Sequence, residues 1–165
     1  MNRARSATVV AALLLGGCGV QPSGVTDAAE APTGIAPGVT LYFLDQNGTL
    51  RPQQRRSGRL GTVAEAVTLL LYGPGQSGLR TGISPSESPR AEAVTTPGTI
   101  ELRLPLAAGE VTPPGADQIV CTALATHIQS GGPARTTVRL IFTIPEPGSD
   151  TPRTCPLISP RAPGR

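Results

Sequence analysis

One histidine and three cysteines hold most of the reactive chemistry in this 165-residue chain: His127, Cys18, Cys121 and Cys155. A cysteine–histidine nucleophile pair would require His127 to take a proton from Cys121, six residues before it. On one helix that spacing sets the two side chains about 240° apart around the axis and about 9 Å apart along it. They cannot readily share a proton across such a gap. Zinc wants four ligands, often delivered as Cys-x-x-Cys pairs; a single histidine and no such pair do not make that site. There is no Gly-x-Ser-x-Gly nucleophile elbow. The stretch GPGQSG, residues 73–78, lacks the Lys-Ser/Thr that a phosphate-binding loop needs. Carboxylates such as Glu87 and Glu92 read as surface charge. The sequence thus predicts no catalytic residue, no metal ligand and no cofactor site, and a protein that is not an enzyme.

Charge excludes a second class. All 14 basic side chains are arginines, and the formal charge is +3 at pH 7. They are scattered except for Arg55, Arg56 and Arg59, and make no stripe of the kind that neutralises a phosphate backbone. Nucleic acid is not an expected partner. The apolar fraction is 38% and the aromatic fraction 2%, low for a globular chain, while Gly and Pro number 20 and 18. Much of that Gly and Pro falls in the flanks, which leaves the middle able to form one core.

The first eighteen residues, MNRARSATVVAALLLGGC, have three parts. Arg3 and Arg5 form a positive start, Ala7 to Leu15 an apolar run, and small residues then lead to a cysteine. The run is too short to span a bilayer and fits a secretory signal peptide over residues 1–17. Leu15-Gly16-Gly17-Cys18 resembles the bacterial lipobox. The resemblance implies that the Cys18 thiol is diacylated (palmitate-type chains), that the chain is cut before Cys18, and that the new amino group is acylated. One acyl chain gives marginal membrane binding, and two or more give a stable anchor. The implied partner is a membrane, held through Cys18, and the implied place is the extracytoplasmic face of the cell membrane. Residues 18–38, small and rich in Pro and Gly, read as the lipidated cysteine and a flexible tether.

Taking Cys18 out of the count leaves an even number of cysteines in a compartment where thiols are oxidised. A Cys121–Cys155 disulfide would pin the Pro-rich tail, residues 145–165, to a helix. Closing such a loop is worth about 4 kcal/mol in the chain-entropy model. Two unpaired buried thiols are the alternative.

The elements that must position these residues are legible in the pattern. VTLYFLD opens the domain with a strand apolar on both faces. Asp45 to Gly48 is a turn with an Asn-Gly signal. TLRPQQRR runs back as an edge strand, because Pro52 cannot donate to a ladder. Thr62 and Glu65 make a capping box for a helix whose apolar face is Val63, Ala66, Val67, Leu70 and Leu71. Gly73 and Pro74 end it. Residues 75–90 form a loop, AEAV a short strand, and TIELRLP a half-exposed strand with Ile100, Leu102 and Leu104 on one side. A second helix is expected from about Gly115–Asp117 to Gln129, with Val120, Ala123, Leu124 and Ile128 as its core. TTVRLIFTI is the last strand. The aromatics Tyr42, Phe43, Tyr72 and Phe142 sit mostly at core-like positions. The order β-β-α-β-β-α-β predicts a single α+β domain over residues 39–144, with two helices packed on one mixed or antiparallel sheet.

VTLYFLDQNGTLRP followed by AVTLLLYGPGQSGLRTGIS resembles the GerMN domain family, found in sporulation and spore-germination proteins and in actinobacterial lipoproteins. The shared residues are Leu50–Pro52, the helix end Leu70-Leu71-Tyr72-Gly73-Pro74, the segment Gly78-Leu79-Arg80-Thr81, the strand Gly98 to Leu102, and Gln118-Ile119-Val120. At Ser84 the family more often has Pro directly after Ile; here Pro85 comes one place later. The resemblance covers about Gly38 to Ile144. It implies an extracytoplasmic, non-catalytic binding or assembly module whose partner is another envelope protein. The competing expectation is capture of a ligand or cell-wall fragment by the polar, glycine-rich Gly75–Ser88 loop.

Overall fold

A computed structural model describes residues 38–158. The chain begins there with a hairpin, strands β1 (Val39–Leu44) and β2 (Leu50–Arg55), paired antiparallel from Val39–Arg55 to Leu44–Leu50. The turn between them is organised by Asp45. One of its carboxylate oxygens accepts the N–H groups of Asn47 (2.9 Å) and Thr49 (3.0 Å), the other the Arg51 Nε–H (2.9 Å). Gly48 takes the left-handed φ of +78° that the turn requires. β1 is buried at every residue except Tyr42, as a strand covered on both faces must be.

Helix α1 (Val63–Leu71) forms as its sequence signals demand. Thr62 and Glu65 complete the capping box, and Gly73 follows the last turn at φ +83°. Its buried face is Ala66, Val67, Leu70 and Leu71. Arg55 ties the helix end to the hairpin: its guanidinium donates to the carbonyls of Gly73 (3.1 Å) and Leu69 (3.4 Å) and lies 6.0 Å from the centroid of the Phe43 ring. Tyr72 is 68% exposed, so this aromatic faces out where the sequence pattern placed aromatics mostly inward. It sits at the C-cap, one residue beyond the helix's buried stripe.

Strands β3 (Glu92–Thr96) and β4 (Thr99–Arg103) form a second hairpin around Pro97–Gly98, and β4 pairs in parallel with β5 (Thr137–Ile141). A parallel pair needs a crossover. Here it is a single 3-10 turn, Ala108–Glu110, and the long helix α2 (Pro113–Gln129). Ile100 and Leu102 on β4 and Val138 and Leu140 on β5 are fully buried on the side facing the core. α2 starts earlier than the expected Gly115–Asp117. Pro113 and Pro114 occupy its first two positions, where a missing N–H removes no helical bond, and Thr112 caps them.

The element order is that read from the sequence, and the domain is α+β. The five strands, however, form two sheets, β1–β2 and β3–β4–β5, rather than one. The reason lies on α2. Its side chains occupy the edge of β1 that a neighbouring strand would need. The Tyr42 N–H donates to Thr122 Oγ1 (3.0 Å), and Gln118 Nε2 donates to the Tyr42 carbonyl (3.1 Å). Arg80 exchanges both backbone bonds with Leu44 (2.9 and 2.7 Å). With those groups taken, the Tyr42–Leu44 stretch of β1 is closed to the larger sheet.

Beyond β5 the chain returns along that strand. Arg153 and Val138 exchange backbone bonds (2.9 and 2.8 Å). Cys155 then reaches Cys121 in a disulfide with Cα atoms 4.7 Å apart, and both cysteines lie in the hydrophobic core.

Candidate functional site

Cys121 and His127 are both held in structural bonds. Cys121 is bridged to Cys155. His127 stands in the last turn of α2, with Nε2 3.1 Å from Thr136 Oγ1. The Thr136 hydroxyl donates to the Pro133 carbonyl (2.8 Å), so its one hydrogen is spent and His127 Nε2–H is the donor. Gly132 passes so close that a β-carbon there would sit 2.2 Å from the same nitrogen. The turn from α2 to β5 is therefore wrapped around the imidazole. Glu92 opens β3 as an exposed side chain, and Glu87 is exposed in the preceding loop.

The Gly75–Ser88 loop divides in two. Its middle is stitched down. The Gly82 N–H donates to Gln118 Oε1 (2.7 Å), and the Gly82 carbonyl accepts from both the N–H and the hydroxyl of Thr112 (2.9 and 3.0 Å). The Ser84 N–H donates to the Glu110 carbonyl (2.9 Å), and Ile83 is buried beside Val111. This clamp lies so tightly on α2 that a β-carbon on Gly115 would fall 2.3 Å from the Gly82 oxygen. Exposed residues remain at Gly75–Gly78 and across most of Ser84–Ser88.

Gln118 was no more than part of a family resemblance in the sequence, yet it is the hub of this region. It is completely buried, and its amide joins β1, the loop and α2. A signal was present: Gln118, Thr122 and Thr126 recur every four residues and form a polar stripe through the apolar middle of the helix.

Clefts among the described residues include two that bear on the site. One, of about 610 Å³, lies between residues 57–61, the Ala64–Leu69 stretch of α1 and the start of β3. Small residues line it, Gly61, Ala64, Ala91 and Ala93 among them, with Leu60 and Leu69 adding apolar surface. At its rim Arg59 pairs with Glu65. The arginine's hydrogen bonds, and then the Thr62 N–H, pull the Glu65 carboxyl from its ordinary 4.5 to about 2. The second cleft, of about 280 Å³, lies at the start of α2 and includes Glu146 and Arg153. A helix start of this kind commonly attracts anions through free N–H groups. Here Pro113 and Pro114 have none, and Gly115 gives its own to Thr112 Oγ1 (3.2 Å). Neither cleft was predicted, since each is a gap between elements distant in sequence.

Among the described residues no three His, Cys, Asp or Glu side chains cluster as a metal site would need, and no helix is long and apolar enough to cross a membrane. Cys18 lies outside the described residues, as do the expected signal peptide and nearly all of the expected tether. The chain matches no protein-family profile, no curated protein and no solved structure.

Proposed function

We propose that this chain is a lipid-anchored cell-envelope protein, tethered through Cys18 at the extracytoplasmic face of the membrane, whose GerMN-like domain is a non-catalytic binding and assembly module. The observation that carries the reading is the Cys121–Cys155 bridge. Of three cysteines it leaves Cys18 alone, at the end of a stretch that resembles a lipobox. A buried disulfide also suits an oxidising compartment. The commitment of Cys121 and His127 to structural bonds supports a binding role over nucleophilic catalysis. The clamp at Gly82 draws much of the Gly75–Ser88 loop into the scaffold and so favours assembly over ligand capture there.

Mass spectrometry of the mature N-terminus tests the anchor. The expected product begins at Cys18 and carries acyl mass that is lost in Cys18→Ser, with the protein moving from the membrane to the soluble fraction. A mature chain that starts elsewhere, or an unmodified Cys18, would overturn the reading.

A further inference from the structure

The four sheet edges of this domain are treated unequally. The edge of β1 is occupied by α2 side chains and by Arg80. The edge of β5 is covered at Val138 by Arg153. The outer edge of β2 carries Pro52 at its middle, which cannot donate. Among the described residues β3 is held only just before its start, where Thr68 of α1 takes the Ala91 N–H. Its register with β4 directs the backbone groups of Glu92, Val94 and Thr96 inward to the ladder, so those of Ala93 and Thr95 point away from the sheet. An open edge of this kind is a template for another strand.

We propose that this edge pairs with the same edge of a second copy, antiparallel, about a two-fold axis through Val94. Three features select that occupant. The Ala91 N–H is already given to Thr68 Oγ1 (3.0 Å), and Pro97 has no N–H, so the open stretch is short and centred on Val94. Pairing about that centre sets Ala93 opposite the partner's Thr95 and Thr95 opposite the partner's Ala93. The outward backbone groups of both copies are then matched, as an isologous contact demands. Charge permits the same register: Glu92 falls opposite Thr96, so no like charges meet. Val94, 54% exposed on the outer face of the sheet, meets its own copy. The cleft of about 610 Å³ lies beside Ala91–Ala93, where the partner's Pro97–Gly98 turn would arrive. A five-residue edge buries less than the ~1,000 Å² of a stable interface, so the pair is weak in dilute solution and is promoted where copies are concentrated on a surface. The inference rests on the reading of the domain as an assembly module, and the anchor at Cys18 is scored separately by its acyl mass.

The test is cysteine crosslinking in the full chain, read on a non-reducing gel under a mild oxidant. Residue 94 would face its own copy with Cα atoms about 4.5 Å apart, within disulfide range. Val94→Cys should shift to twice the monomer mass. Glu92→Cys and Thr96→Cys should each stay monomeric alone, since like positions would be four residues out of register, about 13 Å apart. Mixed together, those two should link. The unsubstituted chain run beside them reports any linkage through Cys18. Thr95→Pro, which removes an outward N–H without touching the β4 ladder, should abolish the Val94→Cys dimer while leaving the thermal midpoint within a few degrees. A monomeric Val94→Cys chain, or one that crosslinks no better than Glu92→Cys, would overturn the proposal.

Discussion

Helices α1 and α2 were both foreseen, but they are built on opposite plans. α1 is a surface helix. Its apolar residues form one stripe, its cap is exposed, and its charged residue faces solvent. α2 is buried from Gly115 to Thr126 with only Asp117 partly exposed, and three of the buried side chains are polar. Two of them, Gln118 and Thr122, do for β1 what a neighbouring strand would do elsewhere, while Thr126 donates to the Thr122 carbonyl of its own helix. The contrast shows that a polar residue on a helix need not mark its wet face. Where a sheet edge must be closed, a glutamine or threonine can supply the missing donor or acceptor.

The strongest way to break the comparison is to unpin α2. Cys155→Ser or Cys121→Ser should cost about 4 kcal/mol, read as a thermal midpoint lower by about 15 °C. Reduction of the unsubstituted protein should give a similar loss. A drop of only a few degrees would mean that the Arg153–Val138 pairing holds the tail without help from the bridge.

Gln118→Leu comes next and separates the two plans directly. The change makes α2 more apolar, which on α1's plan would be harmless. On α2's plan it strands the Tyr42 carbonyl and the Gly82 N–H without partners, at a cost of about 3 kcal/mol. Denaturant unfolding measures it. Stability equal to the parent would show that water or a shifted backbone replaces the amide at no cost.

The start, the stop and most of the buried face of α1 could be read from the chain because their determinants are local: a capping box, one apolar stripe, a glycine stop. The β1–β2 hairpin was legible for the same reason, through Asp45–Gly48. The split into two sheets was not. It depends on Gln118 and Thr122 meeting Tyr42, residues about eighty positions away in the chain. Periodicity cannot report contacts at that separation. The early start of α2 was missed because a proline pair reads as a break, although at the first helical turn it is a start. The loop after α1 had the composition of a ligand loop, but the close approach of Gly82 to Gly115 appears only once both are folded.

The caps of the two helices give a smaller test. Thr62 serves α1 alone, whereas Thr112 caps α2 and also donates to the Gly82 carbonyl. Thr62→Ala should cost about 1 kcal/mol. Thr112→Ala should cost about 2 kcal/mol, because the lost clamp bond adds to the lost cap. Equal costs would mean that the clamp survives on its backbone bonds.

Acid should also distinguish the two helix starts, with the smallest effect of all. α1 carries Glu65 in its first turn, and α2 has no acid there. Arg59 and the Thr62 N–H hold the folded Glu65 carboxyl near 2, below its ordinary 4.5. A carboxyl depressed on folding adds stability that is fully present above its unfolded pKa and is lost as pH falls through the folded value. The Glu65 contribution should therefore fade as pH drops from about 4.5 to about 2, and vanish below. The group is exposed and its ion pair solvated, so the effect is modest. Asp45 is depressed too, by the Thr49 N–H and then Arg51, and it titrates in the same direction. Comparison with Glu65→Gln isolates the Glu65 share. Amide protection factors at Thr62 and Glu65, taken relative to intrinsic exchange at each pH, should fall across that window in the parent and not in the variant, while the Gly115 amide at the start of α2 keeps its protection in both. Loss of protection at Gly115 over the same range would mean that acid opens the domain as a whole, and that the two helix starts are not independent.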